Sequence, residues 1–446
     1  DVTIDLSDLD LLPVGSNDTA TLKAGDPGTL TFEGNFETIN LENFASPAGS
    51  LTIDMGWGND TLTVQSLGGQ LSADLTVRDN LGRDTVNIDG EILLDGHDFR
   101  IGAETITVSE DALISTVGAS GTTGDILLHA TSDFTDVLVP ATITVQSGAQ
   151  LLSGGDIQII AEDVTHRLFQ FSPVEIAHKK ASIKLGAEGG GGATLSGNNV
   201  TIRAEAADKS LVDELPAYAK GFVGEMLGHL NQLTSMGISQ FLGVDASVFM
   251  RAADATVDLF GNTVVEASGN VDIEAKSIAD ASLWAVAVGS GLTQIPFTAA
   301  VGYGDATALT RAAIADTSSI DAFGNVTIVS DASAVAAVGA RTNAQLPGSA
   351  ETLSSKNVSV AFAYAETDLD STTTVAEGAS IESQTGNANI HAKGLVTNNP
   401  AAWTAQYGDG TGGVAVALGF DDSDVKTQVD GTVRAEGLVV GSLDPQ

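Results

Sequence analysis

Glu37, Asp60, Asp84 and Glu104 each stand directly before a residue that opens a short alternating run, in "ETINL", "DTLTV", "DTVNI" and "ETITV", and Asp18 does the same in "DTATL". The five acids follow one another at 19, 23, 24 and 20 residues. Placed at equivalent corners of stacked coils about 4.8 Å apart, they would repel by roughly 1 kcal/mol per pair in water. A bound cation would relieve that repulsion. Calcium, a hard ion that takes carboxylate and carbonyl oxygens, suits the chemistry, so Glu37, Asp60, Asp84 and Glu104 are candidate calcium ligands. The alternative is that these side chains splay into solvent and are screened.

Other chemistry finds less support. His97, His129, His166, His178, His229 and His391 are scattered without metal-ligand spacing, and there is no Gly-x-Ser-x-Gly elbow or phosphate loop. Asp133 with Asp136, and Asp421, Asp422 and Asp424 near Lys426, could supply paired carboxylates for glycoside chemistry. Among 58 acidic residues such clusters arise by chance. Trp57, Trp284, Trp403, Tyr303, Tyr364 and Tyr407 are too dispersed for a sugar platform and read as packing or protomer contacts. No residue is assigned a catalytic role, and the chain is expected to be non-enzymatic.

The elements that carry these residues are repeats. In the acid-Thr family, alternate apolar residues such as Leu62 and Val64, or Val86 and Ile88, share one face while Thr and Asn take the other. A second family is a Gly-Asp or Gly-Asn turn before an alternating strand: "GDILLHA" from Gly124, "GDIQIIA" from Gly155, "GNVDIEA" from Gly269, "GNVTIVS" from Gly324 and "GNANIHA" from Gly386, with "NNVTIRA" from Asn198 as a sixth copy. The glycines are expected to adopt positive φ at a corner. Asn199, Asn270, Asn325 and Asn387 are expected to ladder by amide hydrogen bonds. Short strands recurring at about 20 residues predict an all-β parallel β-solenoid of about 15 to 20 coils, a rod of order 70 to 100 Å. An antiparallel sandwich or a row of immunoglobulin-like modules is the alternative.

Residues 210–242 interrupt the pattern with Leu211, Leu215, Phe222, Met226, Leu230 and Leu233 at helical intervals. The expected domains are a solenoid over 1–205, a short α-helical insertion over 206–246 and a second solenoid, with Ala/Val-rich strands, over 247–446. In that second part "LWAVAVGSGL", "VSVAFAYAETDLD" and "GGVAVALGFDD" are small or apolar on both faces, which implies cover on both faces. Trp284, Val286, Val288, Phe362, Tyr364, Val414, Val416 and Leu418 are therefore candidate self-association residues. The charge-free stretch 281–304 has the length of a membrane span, but its Gly, Thr, Gln and Pro content and its alternation argue against one.

The chain has 446 residues, a formal charge of −39 and no Cys. With 43% hydrophobic residues it must fold around a core. The negative charge disfavours nucleic acid and anionic lipid surfaces and leaves cations and neutral polymers as partners. An acidic, Cys-free, Lys-poor chain that starts at Asp1 and stops just after a strand-like run reads as a processed chain, or a piece of a longer one, from a secreted bacterial protein. The Gly-Asn/Asp turns and Ala/Val-rich strands over residues 124–437 resemble those of very large secreted bacterial β-helical proteins of the filamentous haemagglutinin-like and giant-adhesin type. Residues 56–63, "GWGNDTLT", also resemble one calcium-binding nonapeptide of RTX proteins. The resemblance implies an extracellular or cell-surface structural protein engaged in adhesion, biofilm matrix or cell contact, with itself or surface glycans as partners. A polysaccharide-active β-helix enzyme and a calcium-dependent carbohydrate-binding adhesin are the other readings.

Overall fold

The structure, a computed structural model, describes residues 1–6, 17–35, 41–79, 81–119, 122–132, 139–167, 174–210, 244–288, 297–343, 358–405 and 412–443. They form a parallel β-solenoid, with no helix among the described residues. From the coil of Asp74–Arg78 onward each coil contributes one strand to each of three sheets, and the two coils before it contribute to the first two sheets. Sheet 1 stacks eleven strands in chain order, from Val2–Asp5 to Gly437–Leu443. Sheet 2 runs from Thr19–Ala24 to Gly412–Val429, and sheet 3 from Glu91–Leu93 to Thr432–Arg434.

The period-2 pattern builds the core. In sheet 1, Ile4, Ile53, Val77, Ile101, Leu128, Ile159, Ile202, Ile273, Ile328 and Ile390 are successive register partners and all are buried. Each such side chain contributes about 1.5–3 kcal/mol by leaving water, and each needs the coils above and below to do so. At the N-terminal side of sheet 2 the parallel stack gives way to two antiparallel strands, Thr29–Gly34 and Leu41–Ala45. They place Leu30 and Phe32 in the core.

Coils are fewer and longer than the repeats suggest. Corner-to-corner steps in sheet 1 lengthen from 24 to 27, 31 and 43 residues, then to 71, 55 and 62. Eleven strands give ten steps, a stack of about 48 Å, because the later coils spend residues on width. From Ile157–Arg167 and Val174–Leu185 onward, sheets 1 and 2 extend past the three-sided core and pack on each other as a two-layer wing. Three further strands, Leu283–Val288, Val338–Asn343 and Ala401–Ala405, prolong the sheet 1 layer. The wing interior is Ala, Ser and Thr, as in Ala361, Ala363, Ala365, Ser330 and Thr373. Gly302 and Gly304 permit close approach, since a Cβ on either would lie 2.9 or 2.5 Å from Val338.

The Gly-Asn/Asp corners work by a different device from the one expected. None of Gly124, Gly155, Gly269, Gly324 or Gly386 has positive φ. The Asp or Asn oxygen of each corner instead accepts the backbone N–H of the next: Asp74 from Asp98 at 3.0 Å, Asp98 from Asp125, Asp125 from Asp156, Asp156 from Asn199, Asn199 from Asn270, Asn270 from Asn325, and Asn325 from Asn387 at 2.9 Å. The ladder runs from side-chain oxygen to backbone, not from amide to amide. Glycine precedes Asp156, Asn270 and Asn325 because a Cβ at 155, 269 or 324 would sit 2.2 to 2.4 Å from the side-chain oxygen of the coil before. Positive φ occurs at other corners, between sheets 2 and 3, at Asp111, Gly148, Asn262, Thr317 and Gly378.

Of the helical insertion expected over 206–246, residues 211–243 lie outside the described residues, and its two ends are strand, 206–210 in Val200–Ser210 and 244–246 in Val244–Leu259. On either side of it the stack is continuous, with Val200–Ser210 paired to Val271–Asp280 and Val174–Leu185 to Val244–Leu259.

Candidate functional site

The acid-Thr repeats open successive strands of sheet 2, and their carboxylates are buried. Asp18, Asp60, Asp84 and Glu104 are each 5% exposed or less. Asp18 N–H donates to Asp60 Oδ1 at 2.7 Å, Asp60 N–H to Asp84 Oδ1 at 2.8 Å, and Asp84 N–H to Glu104 Oε2 at 2.6 Å. They do not splay into solvent. The rung beside Asp60 belongs to Asp18, because Thr19–Ala24 pairs directly with Thr61–Val64. Glu37 lies outside the described residues.

Asp79, Asp84 and Glu104 bring one carboxylate oxygen each within 4.8 Å of one another. Oxygen donors of this kind fit a hard divalent cation, with backbone carbonyls or water completing six to eight ligands. Asp84 and Glu104 carry the acid-Thr motif. Asp79 was missed, because it follows the sheet 1 strand Asp74–Arg78 and reaches the corner from the other side. Its one sequence signal is its position five residues before Asp84 in the same coil.

A second candidate is the outer face of sheet 2 along the wing. Val174, Val248, Tyr303, Tyr364 and Leu418 are register partners in one file, and Ala246, Val301, Phe362 and Val416 in another. Ile176 and Met250 lie beside them and are 66% and 38% exposed. The rings of Tyr303 and Tyr364 stack at 5.2 Å, and Phe420 tilts against Tyr364 at 5.4 Å. On the inner strands the Ala side, as at Ala300, Ala361 and Ala363, is covered by the facing layer, so the expected double cover is met on one side only, and on the outermost strand Gly412–Val429 Ala415 and Ala417 are exposed as well.

The self-association candidates therefore separate. Phe362, Tyr364, Val416 and Leu418 share the outer face, with Val414 exposed on the same outermost strand. Trp284 lies on the opposite layer, over Gly339, and stacks on Trp403 at 5.3 Å; both rings are about half exposed. Val286 is buried, with its N–H on Asp245 Oδ2 at 2.6 Å, and the Val288 side chain is outside the described residues.

An acidic ridge borders the apolar files. Asp305 pairs in register with Glu366, Asp368 with Asp422, and Asp370 with Asp424. Burial, then the charges of Glu366 and Asp368, push the Asp305 carboxyl above the usual range. Burial, then Asp422, Asp370 and Glu366, raise Asp368. Asp422 and Asp424 thus belong to this ridge, with Asp421 and Lys426 on the same strand, and Asp133 and Asp136 fall outside the described residues.

Sequence reasoning also missed a buried ionic layer where the wing begins. Lys179 Nζ meets Asp163 Oδ1 at 2.9 Å, and Arg251 reaches Glu175 at 2.7 Å and Asp208 at 3.3 Å. Lys179, Asp163, Arg251 and Asp208 are each under 5% exposed. Arg251 also lies over the Phe249 ring at 5.4 Å. In the sequence these residues alternate like surface charges, and nothing local marks the second layer that covers them.

No protein-family model, curated protein or solved structure matches the chain at a significant level. Among the described residues no helix is long and apolar enough to cross a membrane. The stretch 281–304 contributes to two strands, Leu283–Val288 and Phe297–Ile314.

Proposed function

We propose that this chain is a non-enzymatic structural element of a bacterial cell surface or extracellular matrix, a β-solenoid scaffold whose copies associate with one another. The observation that carries the reading is the outer face of sheet 2, where Ile176, Met250, Val301, Tyr303, Phe362 and Tyr364 form an apolar surface rimmed by the Asp305, Glu366 and Asp368 ridge. A polar-rimmed apolar patch marks an interaction surface, and a second copy supplies a complementary apolar face by two-fold symmetry. The absence of cysteine, the acidic surface and the resemblance to giant adhesins support the extracellular setting. Calcium at Asp79, Asp84 and Glu104 would stiffen the N-terminal coils. A second reading, contact with surface glycans, is favoured by the exposed stack of Trp284 on Trp403, since an indole face suits a sugar ring.

Electron microscopy of the dilute chain, with and without a calcium chelator, tests the proposal. Paired rods or regular fibres are the expected result. Isolated short rods at every concentration would overturn self-association and leave glycan binding to be assayed.

A further inference from the structure

The outward face of sheet 2 in the first five coils is an array of threonines. Two outward positions in register along the five strands are Thr19 and Thr21, Thr61 and Thr63, Thr85 and Asn87, Thr105 and Thr107, and Thr142 and Thr144, and the next outward residue of the first strand, Lys23, borders them in an ion pair with Glu33. Each is in direct register with its neighbours, with no bulge in the stack. In a chain of net charge −39, ten outward positions in succession carry no charge. The same coils of sheet 1 place Asp54, Arg78, Arg100 and His129 outward. Glu33 bounds the array on one side and Lys184 on the other.

Three properties make the array a lattice. Stacked strands set one repeat at about 4.8 Å, and alternate residues along a strand set the other at about 6.7 Å, over a plane of roughly 19 by 7 Å. Threonine is β-branched and stiff at χ1, so its hydroxyls and methyls hold their places before anything binds. Among the described residues no hydrogen bond is made by a side-chain oxygen of these nine threonines, and each is at least partly exposed.

The chemistry of the face selects its partner. A protein interface would bring aromatic or large apolar side chains, a glycan site an exposed ring, and a polyanion site Lys or Arg. None of these is present at the ten positions. A rigid two-dimensional repeat of hydroxyl and methyl groups matches a solid that itself repeats in two dimensions and hydrogen-bonds at every point. From this geometry we infer that the face binds ordered water at an ice surface, with the threonine hydroxyls anchoring waters and the methyls seated between them. The inference stands apart from self-association, which uses the wing.

The test is adsorption to ice. A growing ice hemisphere is drawn from a dilute solution of the full chain, and crystal shaping and thermal hysteresis are read on the same sample. Wild type should enter the ice and hold a hysteresis gap. Thr85→Lys with Thr107→Lys should abolish both, while Thr76→Lys, on sheet 1 of the same coils, should leave them intact. Far-UV circular dichroism and melting temperature verify the fold. If the lysine variant fails to fold, Thr85→Val with Thr107→Val keeps the shape, removes two hydroxyls and should shrink the gap. Exclusion of wild type from ice, or adsorption that the folded Thr85 and Thr107 variants retain, overturns the inference.

Discussion

The corner ladder predicts a coupling that can be measured. Gly155→Ala places a Cβ 2.2 Å from Asp125 Oδ1, with the next neighbour, Gly124 O, at 3.2 Å. Relieving that overlap moves the corner or the ladder side chain and costs about 1–3 kcal/mol. Asp125→Ala removes the acceptor that Asp156 N–H uses at 2.9 Å and costs about 1 kcal/mol. In the double variant the overlap is gone, because the oxygen that caused it is gone. Its loss of stability should fall short of the sum by about 1 kcal/mol or more, read from urea unfolding of the four proteins in the cycle. Asp125→Asn, which restores the residue type used at positions 199, 270, 325 and 387, should leave stability close to wild type and keep the Gly155→Ala penalty. Losses that add within about 0.3–0.5 kcal/mol would refute the close-approach account of these glycines and return the explanation to backbone freedom.

Four other outcomes follow from the same geometry. Arg251→Met leaves the buried Asp208 without its guanidinium and should lower stability by about 3–5 kcal/mol, while Lys23→Met, whose partner Glu33 is exposed to solvent, should change it little; denaturant midpoints compare the two. Asp305 and Asp368 have raised folded-state pKa values, so their ionisation opposes folding above those values and the penalty is relieved as pH falls through them; Asp368→Asn should raise the melting temperature at pH 7 and reduce that pH dependence. Glu162 acts in the opposite sense, because the hydrogen bond from His129 lowers its pKa and the stability it adds is lost as pH falls through the lowered value. Millimolar calcium should raise the melting temperature of wild type but not of Asp79→Asn with Glu104→Gln, and an unchanged wild-type melting curve would remove calcium from the account.

Much of this architecture was legible in the residues. Alternation at Leu62 and Val64, or Ile157 and Ile159, fixed which side chains point inward, because a strand has only two faces. The Gly-Asp and Gly-Asn corners marked where sheet 1 begins in the coils from Gly124 to Gly386, whereas the corners at Asp74 and Asp98 carry no such motif. Coil length was not legible, since steps between corners range from 24 to 71 residues while the ladder hydrogen bond stays the same. Nor was the wing: Lys179 and Arg251 look like surface charges until a second layer covers them. The acid cluster was half legible, in Asp84 and Glu104, because ligands from one strand share a motif whereas Asp79 arrives from a different sheet.

The central claim is that copies meet through the outer face of the wing. Sedimentation velocity over a concentration series, on wild type and on Ile176→Lys with Phe362→Lys, tests it most directly. These two side chains point away from the core, so the variant should fold as wild type does. The account predicts a concentration-dependent species of at least two chains for wild type and a single chain for the variant. A wild type that sediments as one chain throughout, or a variant that associates as wild type does, would contradict it.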